Sequence, residues 1–247
     1  PRDRYRPLSV KQIVAETDDA CSIVLDVPPE HADAYRYQAG QFVTLVLDID
    51  DDEVFRSYSM SSSPEADEGL TITVKRVEGG VVSNWLHDKL VVGDTIDVGP
   101  PSGVFVLTDT TRDFVAFAGG SGITPIYSIV ATALRTTDRR IRLLFANRDR
   151  SAAIFGEALD ALAAAHPDRL VVEHHLDSAA GYLTSGAVRS FLEAPASPGS
   201  ASPGSTSSVQ DVEVYICGPS GFMDVVEGAV VDAGIDTRRI HLERFTP

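Results

Sequence analysis

The sequence predicts two domains: a small antiparallel β-barrel, then a doubly wound α/β domain built on a parallel sheet. Three observations predict it. Its 247 residues suit one large domain or two modest ones. The first hundred residues read as short strands punctuated by turn residues. From about residue 112 strands and helices alternate, as a parallel sheet with crossover helices requires. The boundary falls near Leu107 to Arg112.

In the first part, LSVKQIVAE (8–16) and CSIVLDV (21–27) flank Thr-Asp-Asp-Ala, a plausible hairpin connection. YQAGQFVTLVLDI follows, then the acidic string DIDDDE (48–53) and RSYSMSSSP (56–64). TITVK within LTITVKRV (70–77) alternates polar and apolar, the pattern of a half-buried strand. VVSNWLHDKL (81–90) is the one helical segment, and VGDTIDVGPPSGVFVL holds a further strand or two. In the second part, DFVAFAGG, IRLLFANR, LVVEHHL, VEVYICG and RIHLERF read as strands. ITPIYSIVATALR, AIFGEALDALAAAH, TSGAVRSFL and PSGFMDVVEGAVVDAG read as helices between them. APASPGSASPGSTSS (194–208) is too poor in apolar residues to order itself and is expected to be a flexible loop.

The formal net charge of −15 argues against a general nucleic-acid binder, which needs a basic face to displace counterions. No apolar run is long enough to span a bilayer and no charged-then-apolar leader is seen, so the expectation is a soluble cytoplasmic protein without a membrane partner. The start at Pro1 suggests a piece of a longer protein. Two cysteines, Cys21 and Cys217, cannot make a disulfide framework or a four-thiolate cluster. The six histidines lack metal-ligand spacing, and the adjacent His174 and His175 would point to opposite faces of a strand, so no metal site is expected.

Ligands of open parallel sheets bind beyond the carboxyl ends of the strands, near the switch point. Two glycine-bearing turns lie at such ends. AGGSGITP (118–125) offers Gly119, Gly120 and Gly122 for close backbone approach, and the following helix offers its N-terminal N–H groups, with Pro125 in its first turn. It is not GxGxxG, and geometry alone leaves a tight turn and a cofactor site equally open. CGPSGFM (217–223) places Cys217 at a strand tip, either as a core cysteine or facing the same crevice. In RSYSMSSSP, strand alternation puts Arg56 and Tyr58 on one face and Ser57 and Ser59 on the other. An arginine beside a tyrosine suits a phosphate and a flat heterocycle, or a plain surface position.

The order of these blocks resembles the ferredoxin–NADP reductase superfamily of flavoproteins, in its branch of bacterial oxygenase reductases. RSYSMSSSP, ITVKRVEGGVVSNWL, PPSGVF, AGGSGITP, FANR, CGPSGFMD and HLERF carry the resemblance, from about Ser9 to Phe245. It implies a six-stranded antiparallel barrel holding FAD in residues 1–110 and a doubly wound α/β domain holding NAD(P) in residues 111–247.

By that resemblance Arg56 contacts the FAD pyrophosphate, Ser57 lies in the same motif, Tyr58 stacks on the isoalloxazine and Ser59 bonds near its reactive edge. Val74, Lys75 and Arg76 line the ribityl chain and ring. Gly80, Val82, Ser83 and Asn84 form the helix start at the pyrophosphate, with Val82 standing where the family often has glycine. Gly120, Gly122 and Thr124 meet the pyridine nucleotide, as do Asn147 and Arg148 of FANR. Cys217, Gly218 and Pro219 flank the nicotinamide, while Glu243 and Phe245 lie close to the flavin. Ser59, Thr124, Cys217 and Glu243 are the expected catalytic positions. The implied reaction moves hydride from NADH or NADPH to FAD and single electrons on to a 2Fe–2S centre feeding a terminal oxygenase of steroid or aromatic catabolism. The alternative is a flavin-binding electron conduit or regulatory subunit without turnover. Arg148 and Arg150 lie where a 2′-phosphate would need cations, but so does Asp149. Within the resemblance, steroid-type members suggest NADH and phenylacetate-type members NADPH, and NADH is slightly preferred. The cluster is expected on a domain beyond Pro247 or on a partner ferredoxin, with Arg2, Arg4 and Arg6 as its docking candidates.

Overall fold

The computed structural model describes residues 4–66, 69–194 and 211–245. Arg2 and residues 195–208 of the Ala/Pro/Ser/Gly run, expected to be a flexible loop, lie outside the described residues. The chain divides into two compact units, Pro1–Leu107 with Tyr127–Thr132, and Thr108–Ile126 with Ala133–Pro247.

Six strands form the first unit: β1 (Arg6–Thr17), β2 (Ala20–Asp26), β3 (Phe42–Ile49), β4 (Asp52–Ser59), β5 (Leu70–Lys75) and β6 (Thr95–Val98). They pair antiparallel in the order β4-β3-β6-β1-β2-β5. Met60, just past β4, bridges Ile72 of β5, so the two outer strands of the sheet meet at that end and the sheet closes toward a barrel. Its interior is filled by Leu8, Ile23, Val43, Leu45, Ile72, Ile96 and Val98, all fully buried. The acidic string is a hairpin: Ile49 pairs with Asp52 across Asp50 and Asp51, whose φ values of 52° and 66° match the two-residue turn that strand twist favours. Helix α1 (Val81–Asp88) buries Val82 and Leu86, one turn apart, against the barrel core. Residues 92–107 supply one strand, not two. Pro100 and Pro101 have no N–H to extend a ladder, and only Ser102 bridges Phe42 beyond them. A 3₁₀ segment at Pro29–Tyr35, absent from the sequence reading, lets the Tyr35 hydroxyl donate to Val98 O (2.6 Å).

The second unit carries five parallel strands in the order β11-β10-β7-β8-β9. They are β7 (Phe114–Gly119), β8 (Ile141–Asn147), β9 (Leu170–Leu176), β10 (Glu213–Cys217) and β11 (Ile240–Glu243). Between them run α2 (Ile123–Thr136), α3 (Gly156–Ala165), α4 (Asp177–Ala180), α5 (Ser185–Glu193) and α6 (Ser220–Asp232). β7, β8 and β10 are buried along their whole length, as strands covered on both faces are. Phe117, Leu144, Val214 and Ile216 pack with Val188 and Phe191 of α5 and Met223, Val226 and Val230 of α6. The chain builds outward from β7 through β8 to β9, then returns to lay β10 and β11 on the other side of β7. The strand order therefore reverses between β7 and β10, and a ligand crevice belongs at their carboxyl ends.

Candidate functional site

In the first unit, Tyr58 lies opposite Val43 and Arg56 opposite Leu45. Since directly opposed residues share a face, Arg56 and Tyr58 project to the side that Val43 and Leu45 fill. Tyr58 is half-buried against that core, and the burial pushes its hydroxyl up to about 12 despite the opposing charge of Arg56. Arg56 is exposed, with Nη1 donating to the adjacent Phe55 carbonyl (2.9 Å), so its guanidinium keeps donors available to a ligand. Ser57 on the other face pairs its Oγ with Thr44 Oγ1 (2.9 Å), and Ser59 is buried.

The serines that follow have internal partners. Ser61 Oγ bonds Thr73 Oγ1 (2.7 Å), Ser62 Oγ bonds the Tyr37 hydroxyl (2.7 Å) and accepts Thr71 N–H (3.0 Å), and Ser63 Oγ bonds Thr132 Oγ1 (2.7 Å). All three are buried.

After β5, the Arg76 guanidinium donates to Asn84 Oδ1 (2.8 Å) and Asp88 Oδ1 (2.7 Å). Asn84 Nδ2 donates to the carbonyls of Val77 (3.0 Å) and Gly80 (2.6 Å). Ser83 Oγ accepts Val77 N–H (3.1 Å). These side chains staple the loop that leads into α1, whose N-terminus at Gly80 has no side-chain cap. Val82 and Val74 are core residues, and the Val74 carbonyl meets His87 Nε2 (3.0 Å). Lys75 pairs with Asp19 (3.7 Å).

At the switch point of the second unit the two glycine turns touch. A Cβ on Gly122 would fall 2.2 Å from Cys217 O, so only glycine fits. Gly120 has φ +51° with open space around it. A Cβ on Gly218 would fall 2.7 Å from Phe222 Cδ1. Phe222, which the sequence reading passed over, is thus the ring that packs this turn; its place five residues beyond Cys217 in CGPSGF was the available signal. Gly120–Gly122 form a 3₁₀ turn ahead of α2, and buried Thr124 donates to Ser121 O (3.1 Å) to hold it. Cys217 ends β10, fully buried and directly opposite Glu243 of β11. Burial pushes its thiol well above the usual range, with the Glu243 charge adding to the rise. Burial also raises the half-buried Glu243 carboxyl. Phe245 is exposed.

On the adjoining strand end, Asn147 is 5% exposed, and neither its Oδ1 nor its Nδ2 has a hydrogen-bond partner. Leaving a buried polar group unpaired costs about 1–3 kcal/mol, so such a side chain calls for an outside partner. Beyond it, Arg148 pairs with Asp149 (2.9 Å). The fold therefore gathers Gly120, Gly122, Thr124, Cys217, Gly218, Pro219 and Glu243 at the carboxyl ends of β7, β10 and β11, with Asn147 and Arg148 at the end of β8.

Residues 7–107 match the oxidoreductase FAD-binding domain family, and residues 117–228 match the oxidoreductase NAD-binding domain family. A component of the 1,2-phenylacetyl-CoA epoxidase of Escherichia coli is 31% identical, over 98% of this chain and 68% of that one. The chain belongs to the ferredoxin–NADP reductase family of FAD- and NAD-binding oxidoreductases. Within this family, the ferredoxin reductase component of the 3-ketosteroid-9-alpha-monooxygenase of Rhodococcus rhodochrous is 41% identical over 96% of this chain, which spans 64% of that relative's length. The FAD/NAD-binding domain of nitric oxide dioxygenase from Vibrio cholerae superposes with a TM-score of 0.76 at 26% identity, covering 98% of this chain and 99% of that one. Two features fit the family's cofactors: the ligand-ready guanidinium of Arg56 beside the Tyr58 ring, and the unpaired amide of Asn147 next to the glycine turns. Among the described residues no helix is long and apolar enough to cross a membrane, and no group of three or more His, Cys, Asp or Glu residues is placed to hold a metal ion.

Proposed function

We propose that the chain is the flavin- and nucleotide-binding part of an oxygenase reductase, taking hydride from a reduced nicotinamide dinucleotide and passing single electrons to a 2Fe–2S centre on a further domain or a partner ferredoxin. The observation that carries this reading is the contact of the two glycine turns at the switch point, beside a buried amide that lacks a partner. The names of the relatives support the oxygenase connection. On this reading the chain acts in the cytoplasm, with FAD held in residues 1–110 and the dinucleotide in residues 111–247.

Bound FAD supplies the two-electron to one-electron conversion, and the protein supplies binding, orientation and electrostatics. Arg56 holds the pyrophosphate by charge-assisted hydrogen bonds. Tyr58, neutral at working pH, presents a ring face. The Ser59 hydroxyl and the backbone of Val74, Lys75 and Arg76 orient the ring, and the α1 start at Gly80–Asn84 offers N–H groups to phosphate. Gly120, Gly122 and Thr124 shape the nucleotide turn, and Asn147 and Arg148 meet the nucleotide from the end of β8. Cys217 remains a neutral thiol, a small apolar wall beside the nicotinamide with Gly218 and Pro219. Glu243 holds its proton more readily than a free carboxyl, and on this reading it polarises the redox centre while Phe245 serves as an aromatic cover.

The test is anaerobic stopped-flow mixing of the FAD-reconstituted chain with NADH and with NADPH. Bleaching of the flavin absorption by at least one of them is expected. A chain that cannot be reconstituted with FAD overturns the proposal, and one that binds FAD without reduction by either nucleotide supports a non-turnover electron conduit instead.

A further inference from the structure

α1 carries one histidine, His87, half-buried in its last turn. Its Nε2 lies 3.0 Å from Val74 O and 3.8 Å from Cys21 Sγ. Cys21 and Val74 are paired across β2 and β5. Cys21 also neighbours Tyr58, close enough that a charge on the thiol would raise the Tyr58 hydroxyl further. One imidazole thus rests on the backbone at the end of β5 and on a thiol beside the proposed ring-stacking tyrosine. We propose that His87 is a positioning residue for bound flavin: it fixes the Val74 carbonyl, and its charge makes the flavin easier to reduce as pH falls. The inference rests on the FAD site proposed above and adds to it a residue and a pH response.

The chemistry of the contact fixes where the proton sits. A carbonyl oxygen only accepts, so Nε2 carries the hydrogen that Val74 O receives. The neutral ring is therefore the Nε2–H tautomer, and a second proton goes on Nδ1. Protonation then adds a charge without breaking the bond to Val74. Imidazole is the side chain that changes charge between about pH 5 and 8. The charged groups around the ring are matched elsewhere. Arg76 pairs with Asp88 (2.7 Å), and Lys75 pairs with Asp19 (3.7 Å). Glu16 accepts from Ser22 Oγ (2.6 Å), and Lys89 is exposed at the helix end. β3, on which α1 also packs, carries Asp48 alone. Burial pushes the Cys21 thiol up, with Arg76 opposing and Glu16 adding, so Cys21 stays neutral. A flavin gains electrons on reduction, so a nearby cation favours the reduced form, and by linkage reduction favours the imidazolium.

The test is the midpoint potential of the bound flavin, by spectroelectrochemical titration of the full chain reconstituted with FAD, at steps from about pH 5 to about pH 8. His87→Gln keeps an N–H for Val74 O and removes the titrating charge. A proton held about tenfold more tightly in the reduced state corresponds to about 30 mV for a two-electron couple. The wild-type potential should therefore exceed that of His87→Gln by about 30 mV at the acid end, and the two should converge at the alkaline end. FAD affinity should be unchanged in His87→Gln. His87→Leu leaves Val74 O without this donor and should bind FAD about two- to tenfold more weakly, the worth of one hydrogen bond. Parallel potentials of the wild type and His87→Gln, a loss of FAD from His87→Gln as large as from His87→Leu, or undiminished FAD binding by His87→Leu overturns the inference. A wild type that takes up no FAD, read from its absorption, overturns the FAD site proposed above as well.

Discussion

At the scale of single residues, Glu243 shows how neighbours set a charge. It ends β11 opposite Cys217, half-buried, and burial alone raises its carboxyl above the ordinary value. A carboxyl raised in the folded state opposes folding once it ionises. The effect is absent below the ordinary carboxylate range, appears as pH rises through that range and is complete above the folded value. Glu243→Gln should therefore match the wild type in stability near pH 4 and exceed it increasingly toward pH 8, followed by urea unfolding across that range. A variant less stable than the wild type at pH 8 would show that the native carboxylate is favoured by partners. The serines after Tyr58 teach a different lesson. RSYSMSSSP reads as one polar run, yet Arg56 is exposed while Ser61, Ser62 and Ser63 are buried and bonded to Thr73, Tyr37 and Thr132. Partners 12 to 69 residues away decide this, and local sequence does not display them.

At the scale of elements, the strands and helices of the second unit were legible because each is a continuous apolar run or an amphipathic stretch between Gly, Pro and Asp breaks. The same logic failed for short pieces. The 3₁₀ segment at Pro29–Tyr35 and the four-residue α4 have no room for a periodic pattern, and of the strand or two expected in VGDTIDVGPPSGVFVL only β6 forms, since Pro100 and Pro101 cannot donate to a ladder. The glycine turns were visible as turns, but their mutual contact depends on β10 returning beside β7, a long-range event. That contact makes a sharp prediction. Gly122→Ala would set a Cβ 2.2 Å from Cys217 O, backbone that cannot swing aside, and should cost about 1–3 kcal/mol in denaturant unfolding while weakening nucleotide binding. Gly120→Ala meets open space, and its φ of +51° should cost about 1–2 kcal/mol without displacing β10. Equal and negligible effects of the two changes would mean that the turns do not bear on one another.

At the scale of the whole molecule, the two units have separate cores, one inside the barrel and one between the parallel sheet and α5 and α6. The proposed ligands should then draw on different residues, Arg56 for FAD and the Gly122 turn for the dinucleotide. A ligand that binds only the folded state adds about 2.7 kcal/mol at a hundredfold excess over its dissociation constant. FAD at that excess should raise the unfolding midpoint of the wild-type chain. Arg56→Ala removes an exposed guanidinium, so the apo-protein should unfold as the wild type does. Its charge-assisted bonds to pyrophosphate are worth about 1.5–3 kcal/mol, roughly a ten- to hundredfold loss of FAD affinity, so most of the FAD-induced shift should vanish at the same flavin concentration. The nicotinamide dinucleotide, proposed to meet the Gly122 turn, should still protect the variant. Loss of both protections in Arg56→Ala would mean that the arginine supports the fold rather than the flavin, and retention of both would remove Arg56 from the site.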